Sequence, residues 1–237
     1  MNSNKITIIY DNHTPENTAL KSSWGFACVI EGFEKTILFD TGTSGPILMH
    51  NFKVLGFDLD QIDVVVISHG DWDHLGGLWT FLDANSDLEV YLPASLSRHL
   101  KDEVVAVGAT CISVAENFVS ICSGVVLSGE MQGPRNEQSI LLQGADESII
   151  LTGCAHPGIV EITRRFAKEE KHYFIMGGFH LKDSATQEIE SIVEELKKLG
   201  VTRAAPTHCS GARSEKIFAS IFGTNSRSLC PGSVVHF

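Results

Sequence analysis

The chain has 237 residues, 43% of them hydrophobic and 20% charged, which suits one large globular domain, or two fused half-domains, with a sizeable core. Its net charge of -11 argues against nucleic-acid backbone binding as the main activity, while an anionic substrate stays open because a metal can supply local positive charge. No run approaches the roughly 18 uninterrupted apolar residues that cross a membrane, and the opening "MNSNKITIIY" lacks the basic start and long apolar stretch of a signal peptide, so a soluble, cytoplasmic protein without a membrane partner is expected.

The first third reads as the strands "KITIIY", "WGFACVIE" and "KTILFD", a helix around "ILMHNFKVLG", and the apolar strand "DVVVIS". Helix-patterned "GGLWTFLDAN", strand "LEVYLP" and a short helix in "ASLSRHLKDE" follow. From about residue 104 to 152 the chain is strand-rich, with "CISVAE", "VVLSGE", "QSILLQG" and "SIILTG". "PGIVEITRRFAKEE" then opens a helix with Pro157 at its first position, and "HYFIMG" is a strand. In "SATQEIESIVEELKKLG", Ser184 and Gln187 form a capping-box pattern, Ile189, Ile192, Val193, Leu196 and Leu199 make one apolar stripe, and Gly200 marks the stop. Strand "VTRAAP", a helix through "SEKIFASIFG" and the short strand "SVVHF" complete the chain. Strand runs followed by alternation imply an α/β fold, two mixed sheets packed together with helices outside, in a single domain over residues 1–237.

Ten histidines occur, and five share a context. His69 and His74 follow "VVVIS", His156 follows "IILTGCA", His180 follows "YFIMGGF" and His208 follows "AAPT". Each lies just beyond the carboxyl end of an apolar strand, where loops from distant parts of a chain converge. His13, His50, His99, His172 and His236 lack that context. The five strand-end histidines point to a metal site.

Residues 68–77, "SHGDWDHLGG", add two aspartates to two of those histidines. Side chains two apart on extended backbone point the same way, so His69 and Asp71 can face one ion. Asp73 and His74, where the chain turns into a helix expected near Gly76, can face a second. Helix capping by Asp73 would explain one carboxylate but neither Asp71 nor the two imidazoles. The six cysteines show no CxxC pair and read as reduced packing thiols, Cys154 and Cys209 beside the histidines included.

These residues, as a set, resemble the metallo-β-lactamase superfamily. "SHGDWDHLGG" is similar to its HxHxDH signature, and "DTG" at 40–42, "GCAHPG" at 153–158 and "PTHCSG" at 206–211 follow in order. The stretches "WGFACVIE", "SGE" at 128–130, "NEQSILL" at 136–142, "TGCAHPGIV" and "GGFHL" at 177–181 resemble the dihydropterin synthase-like branch. The namesake of that branch joins a dihydropterin to a ribofuranosylaminobenzene phosphate, while many of its members are known simply as metal-dependent hydrolases, so the resemblance does not give a substrate.

The resemblance implies an αβ/βα sandwich carrying two divalent ions at one edge. One ion would take His69, the position of Asp71, and His156; the other would take Asp73, His74 and His208. Asp40 would support the ligand loop by hydrogen bonding. Two departures stand out: Asp71 replaces a usual histidine, and the strand "HYFIMGG" ends in glycines where the superfamily often supplies a bridging aspartate. Asp71 would restore some of the lost negative charge, either as a terminal ligand or as a bridge. Zinc is the ion the resemblance implies, and the oxygen of Asp71 tilts the site toward iron or manganese.

The chemistry expected is hydrolysis of a phosphoester, ester or lactone of a small metabolite by a bridging hydroxide. Asp73 would orient that water and relay its proton, while His180 would protonate a leaving group, bind a phosphate or make a structural hydrogen bond. Arg135, Lys182 and Arg213 read as surface charges, and Trp72 either lines the pocket or pins the loop. The alternatives are a synthase-like transferase displacing pyrophosphate and a non-catalytic metal sensor. Self-association is left open.

Overall fold

The computed structural model describes residues 4–14, 16, 18–145, 147–168 and 171–237. The chain forms two compact units, Met1–Asn117 with Cys230–His236, and Phe118–Leu229 with Phe237. Each unit is built on one mixed sheet flanked by helices.

The first unit carries β1 (Lys5–Tyr10), β2 (Ala27–Glu31), β3 (Ile37–Phe39), β4 (Val64–Val66), β5 (Glu89–Pro93), β6 (Thr110–Val114) and the returning strand from Val234–His236. The returning strand, β1, β2 and β3 pair antiparallel, whereas β3, β4, β5 and β6 run parallel. Helix α1 (Gly45–Leu55), a four-residue turn of helix α2 (Trp72–Leu75), α3 (Leu78–Ala84) and α4 (Arg98–Ala106) complete it. Leu48 and Phe52 of α1 and Leu78, Phe81 and Leu82 of α3 are buried in one core with Val65, Val90 and Leu92. Strand β4, "VVV", is buried along its whole length, as a central parallel strand covered on both faces requires.

The second unit carries β7 (Val119–Cys122), β8 (Val125–Leu127), β9 (Ile140–Leu142), β10 (Ser148–Thr152), β11 (Tyr173–Gly178) and β12 (Val201–Thr207). Strands β7 to β10 form an antiparallel meander, and β10, β11 and β12 are parallel neighbours. Helices α5 (Ile159–Phe166), α6 (Thr186–Lys198) and α7 (Ala212–Phe222) supply the connections and the outer layer. Ile189, Val193 and Leu196 of the expected stripe are buried with Ile162, Phe179 and Phe218, and Ile192 packs against them. The final strand of the chain, Val234–His236, is β13.

Four local expectations need correction. The α6 N-cap is Ala185 rather than Ser184, and it makes no side-chain cap hydrogen bond. Pro157 precedes the N-cap of α5, which is Gly158 in an open backbone conformation; the last two residues of that expected helix, Glu169 and Glu170, lie outside the described residues. Strand β7 was not expected, because "VSIC" is short and half polar. Helix in the ligand loop begins at Trp72, before Gly76. No helix among the described residues is long and apolar enough to cross a membrane.

Candidate metal centre

In the first unit the ligand loop leaves the carboxyl end of β4 and enters α2 at once. Asp71 occupies the N-cap position with extended backbone (φ -73, ψ 144) but makes no side-chain cap hydrogen bond. Its Oδ2 instead lies 3.7 Å from His69 Nε2. Asp73 sits in the first turn, with Oδ2 3.8 Å from His74 Nε2. Ligand atoms of His69, Asp71 and Asp73 all lie within 4.8 Å of one another, and the His69 and His74 ring centroids are 4.2 Å apart. The cap reading of Asp73 therefore fails, and both aspartates face the imidazoles.

The "DTG" segment holds this loop from below. Asp40 is fully buried and has a left-handed backbone (φ 56). Ser68 N–H donates to Asp40 Oδ1 at 2.7 Å, and Ser68 Oγ donates to Oδ2 at 2.7 Å. His74 Nδ1 is 2.7 Å from the same Oδ2. An ionised carboxylate only accepts, so His74 carries its proton on Nδ1 and presents Nε2. Ser68 has given its one proton to Asp40, so its Oγ accepts from His69 Nδ1, 2.8 Å away. One carboxylate thus fixes the tautomer of two imidazoles, one directly and one through a hydroxyl. Thr41 adds two bonds to the His74 carbonyl, from N–H and from Oγ1, each 2.8 Å. Gly77 passes so close to Thr41 that a Cβ there would meet its carbonyl oxygen at 2.3 Å.

Sequence reasoning passed over Trp24. Its indole N–H donates to Asp73 Oδ2 at 2.7 Å, the same oxygen that lies 3.8 Å from His74 Nε2. The residue lies just ahead of a strand, and nothing in its spacing marks it.

In the second unit His156, His180 and His208 follow β10, β11 and β12. Because those strands are adjacent and parallel, their carboxyl ends lie side by side, which is why ligand atoms of Cys154 and His208, far apart in sequence, lie within 4.8 Å. The His156 and His180 ring centroids are 4.7 Å apart. Ala155, His180 and His208 all adopt left-handed backbone conformations (φ 58, 53 and 53). With Asp40 these are the only non-glycine residues of positive φ among the described residues, and all four lie in or beside the loops that carry the candidate ligands, a clustering common at functional sites.

Glu137, also missed from sequence, organises this half. It is buried (1% exposed) in the segment between β8 and β9. Its Oε1 accepts from the N–H groups of Gly153, Cys154 and Ala155 at 3.1, 3.0 and 2.9 Å. Its Oε2 accepts from His156 N–H at 2.9 Å and pairs with His156 Nδ1 at 3.0 Å. The same reasoning places the His156 ring proton on Nδ1 and makes Nε2 its basic nitrogen. Cys154 Sγ lies within 4.8 Å of ring nitrogens of His156, His180 and His208 and of Cys209 Sγ.

Two titrations in this half are displaced. A hydrogen bond from Cys154 leads in holding the Cys209 thiol well below its ordinary range, joined by His180 and the nearby His208 against the effect of burial. His180 is raised, chiefly by its hydrogen bond to Cys209 and in spite of partial desolvation.

These donor sets suit divalent cations: imidazoles turned to present Nε2, and carboxylates beside them. Residues 25–211 match the metallo-β-lactamase superfamily, and the chain belongs to it. It is 26% identical to the 7,8-dihydropterin-6-methyl-4-(β-D-ribofuranosyl)-aminobenzene-5'-phosphate synthase of Methanocaldococcus jannaschii, over 98% of this chain and 96% of that one. Among solved structures it is similar to Tm1679, described as a metal-dependent hydrolase of the β-lactamase superfamily, with 26% identity, a TM-score of 0.81 and 99% of each chain covered. The metallo-β-lactamase fold protein YhfI of Bacillus subtilis shares the fold at 14% identity and a TM-score of 0.72, with both chains fully covered.

Proposed function

We propose that the protein is a metal-dependent hydrolase acting on a phosphoester, ester or lactone of a small metabolite. The observation that carries this reading is the first unit's donor set: His69, Asp71 and Asp73 with ligand atoms within 4.8 Å, and imidazoles turned to a common tautomer by Asp40. In this reading His69, Asp71 and His156 hold one divalent ion and Asp73, His74 and His208 a second, in one domain spanning the chain. Zinc is the ion suggested by similarity, and the Asp71 oxygen widens the choice to iron or manganese. Bound there, the ions supply Lewis acidity and a water that ionises near neutral pH.

The chain's own residues do the rest. Asp73, its Oδ2 fixed by Trp24, orients the attacking water and accepts its proton. His180 stands at the end of β11 beside His156, on the exposed side of the cluster, and delivers a proton to the leaving oxygen. The same reading places the protein in a reducing cytoplasm, where its six cysteines remain thiols.

Metal analysis of natively purified protein, followed by assay against phosphoesters, esters and lactones, tests the proposal. Metal-dependent hydrolysis that falls about 10²–10⁴-fold in Asp73→Asn is expected, and chain that takes up no divalent ion would overturn it. A second reading, transfer with loss of pyrophosphate, is favoured by the synthase relative. Pyrophosphate release from a dihydropterin pyrophosphate that depends on an added arylamine phosphate would select it.

A further inference from the structure

Resting on that dinuclear reading, we infer that the Cys154 thiolate is itself a ligand, bridging the ion held by His156 and the ion held by His208. The inference begins from a strand end that carries no acid. β11 finishes in Gly177 and Gly178, and a Cβ built on Gly178 would stand 2.6 Å from Cys209 Sγ and 3.2 Å from Cys154 Cα. The corner where a side chain could emerge is therefore filled by two cysteines.

Only one of these thiols reaches both imidazoles. Cys154 Sγ lies within 4.8 Å of a ring nitrogen of His156 and of a ring nitrogen of His208, whereas among the described residues Cys209 Sγ joins a ligand-distance group only with Cys154 and His180. Sulfur and nitrogen on one tetrahedral zinc are separated by about 3.6 Å, given bonds of about 2.3 and 2.0–2.1 Å. The approach still needed is of the order of a side-chain rotation. Two ions about 3.5–4 Å apart are within the span of one such sulfur.

The backbone at Cys154 is already fixed. Its N–H and those of the residues on either side all donate to Glu137 Oε1, so the residue cannot drift from the cluster without breaking a buried cradle. The side chain is almost fully buried, at 4% exposure, which keeps water from competing for its place. Cys209 lies behind it, with Sγ 3.7 Å from the Cys154 carbonyl oxygen. On ligation the Cys154 S–H bond breaks heterolytically, sulfur keeps the electron pair and donates it to the ions, and the proton leaves to solvent. A soft sulfur ligand pulls the preference back toward zinc against the hard oxygen of Asp71.

Zinc-edge X-ray absorption on the zinc-loaded full chain reads this directly, with zinc content measured in the same samples. The expected result is two zincs per chain and a sulfur shell at about 2.3 Å, lost in Cys154→Ser and kept in Cys209→Ser. Two zincs with no sulfur shell, or a shell that survives Cys154→Ser, overturns the bridge alone and leaves the dinuclear reading standing. One zinc per chain bearing sulfur overturns the bridge and that reading together. If Cys154→Ser does not fold, alkylation of the wild type decides: Cys154 protected from iodoacetamide by zinc supports the bridge, and equal labelling of Cys154 with and without zinc overturns it.

Discussion

Asp40 in the first unit and Glu137 in the second are both sealed from solvent, and both accept a hydrogen bond from the Nδ1–H of a histidine. They use their remaining capacity differently. Asp40 gives it to Ser68, whose hydroxyl in turn orders His69, so one acid aligns two imidazoles. Glu137 gives it to four consecutive backbone N–H groups, from Gly153 to His156, so one acid shapes a loop and aligns a single imidazole. The first arrangement acts on ligand chemistry, the second on whether the loop exists in its observed form.

That difference predicts opposite rankings in two measurements. Glu137→Ala strands three buried amides, a part-buried one and a ring N–H, and apoprotein unfolding in urea should show a loss of about 3–5 kcal/mol, as for breaking a buried charged network. Asp40→Asn keeps the shape and should cost less, about 1–3 kcal/mol. In zinc titration the order reverses among the folded variants. An amide at Asp40 offers an N–H where His74 needs an acceptor, which drives the His74 proton onto Nε2. A fall of about 10–100-fold in affinity is expected, larger than in Glu137→Gln, with nitrogen-15 spectra of the metal-free protein showing the changed tautomer. If Asp40→Asn proves the less stable of the Asp40→Asn and Glu137→Ala pair, the contrast is wrong.

The two acids also differ in how visible they were in the sequence. Asp40 was legible through the likeness of "DTG" to a family motif, while the histidines after β4, β10, β11 and β12 stood out because apolar runs mark the strand ends by themselves. The two mixed sheets followed from the same runs. Glu137 stands in an irregular stretch, and its partners are main-chain N–H groups, which every residue type but proline carries. No spacing of side chains encodes such a cradle. The capping box on α6 failed for a related reason: Ser184 N–H bonds Leu181 O in a turn, and tertiary context moved the helix start to Thr186.

A smaller effect tests the relay within the first unit. Ser68→Ala removes the hydroxyl between Asp40 and His69 but leaves the Asp40–His74 contact in place. His69 should lose its fixed tautomer while His74 keeps its own, and zinc affinity should drop by about 10-fold, the lower end of the range for such partners. Equal disturbance of both rings would mean that Asp40 holds the loop as a whole, as Glu137 does, and the distinction between the two acids would narrow.

The weakest expected effect comes from Trp24→Phe. It removes the indole donor to Asp73 Oδ2 while keeping most of the ring, and Trp24 is 44% exposed. Water can reach the vacated oxygen, so the loss is the net value of one hydrogen bond, about 0.5–1.5 kcal/mol, or roughly 2- to 13-fold in affinity. At Asp40 and Glu137 no water can substitute, and this difference in replaceability, more than the number of bonds, sets the ranking. A Trp24→Phe protein that loses as much affinity as Asp40→Asn would show that the orientation of Asp73, rather than the tautomers of the histidines, limits metal binding.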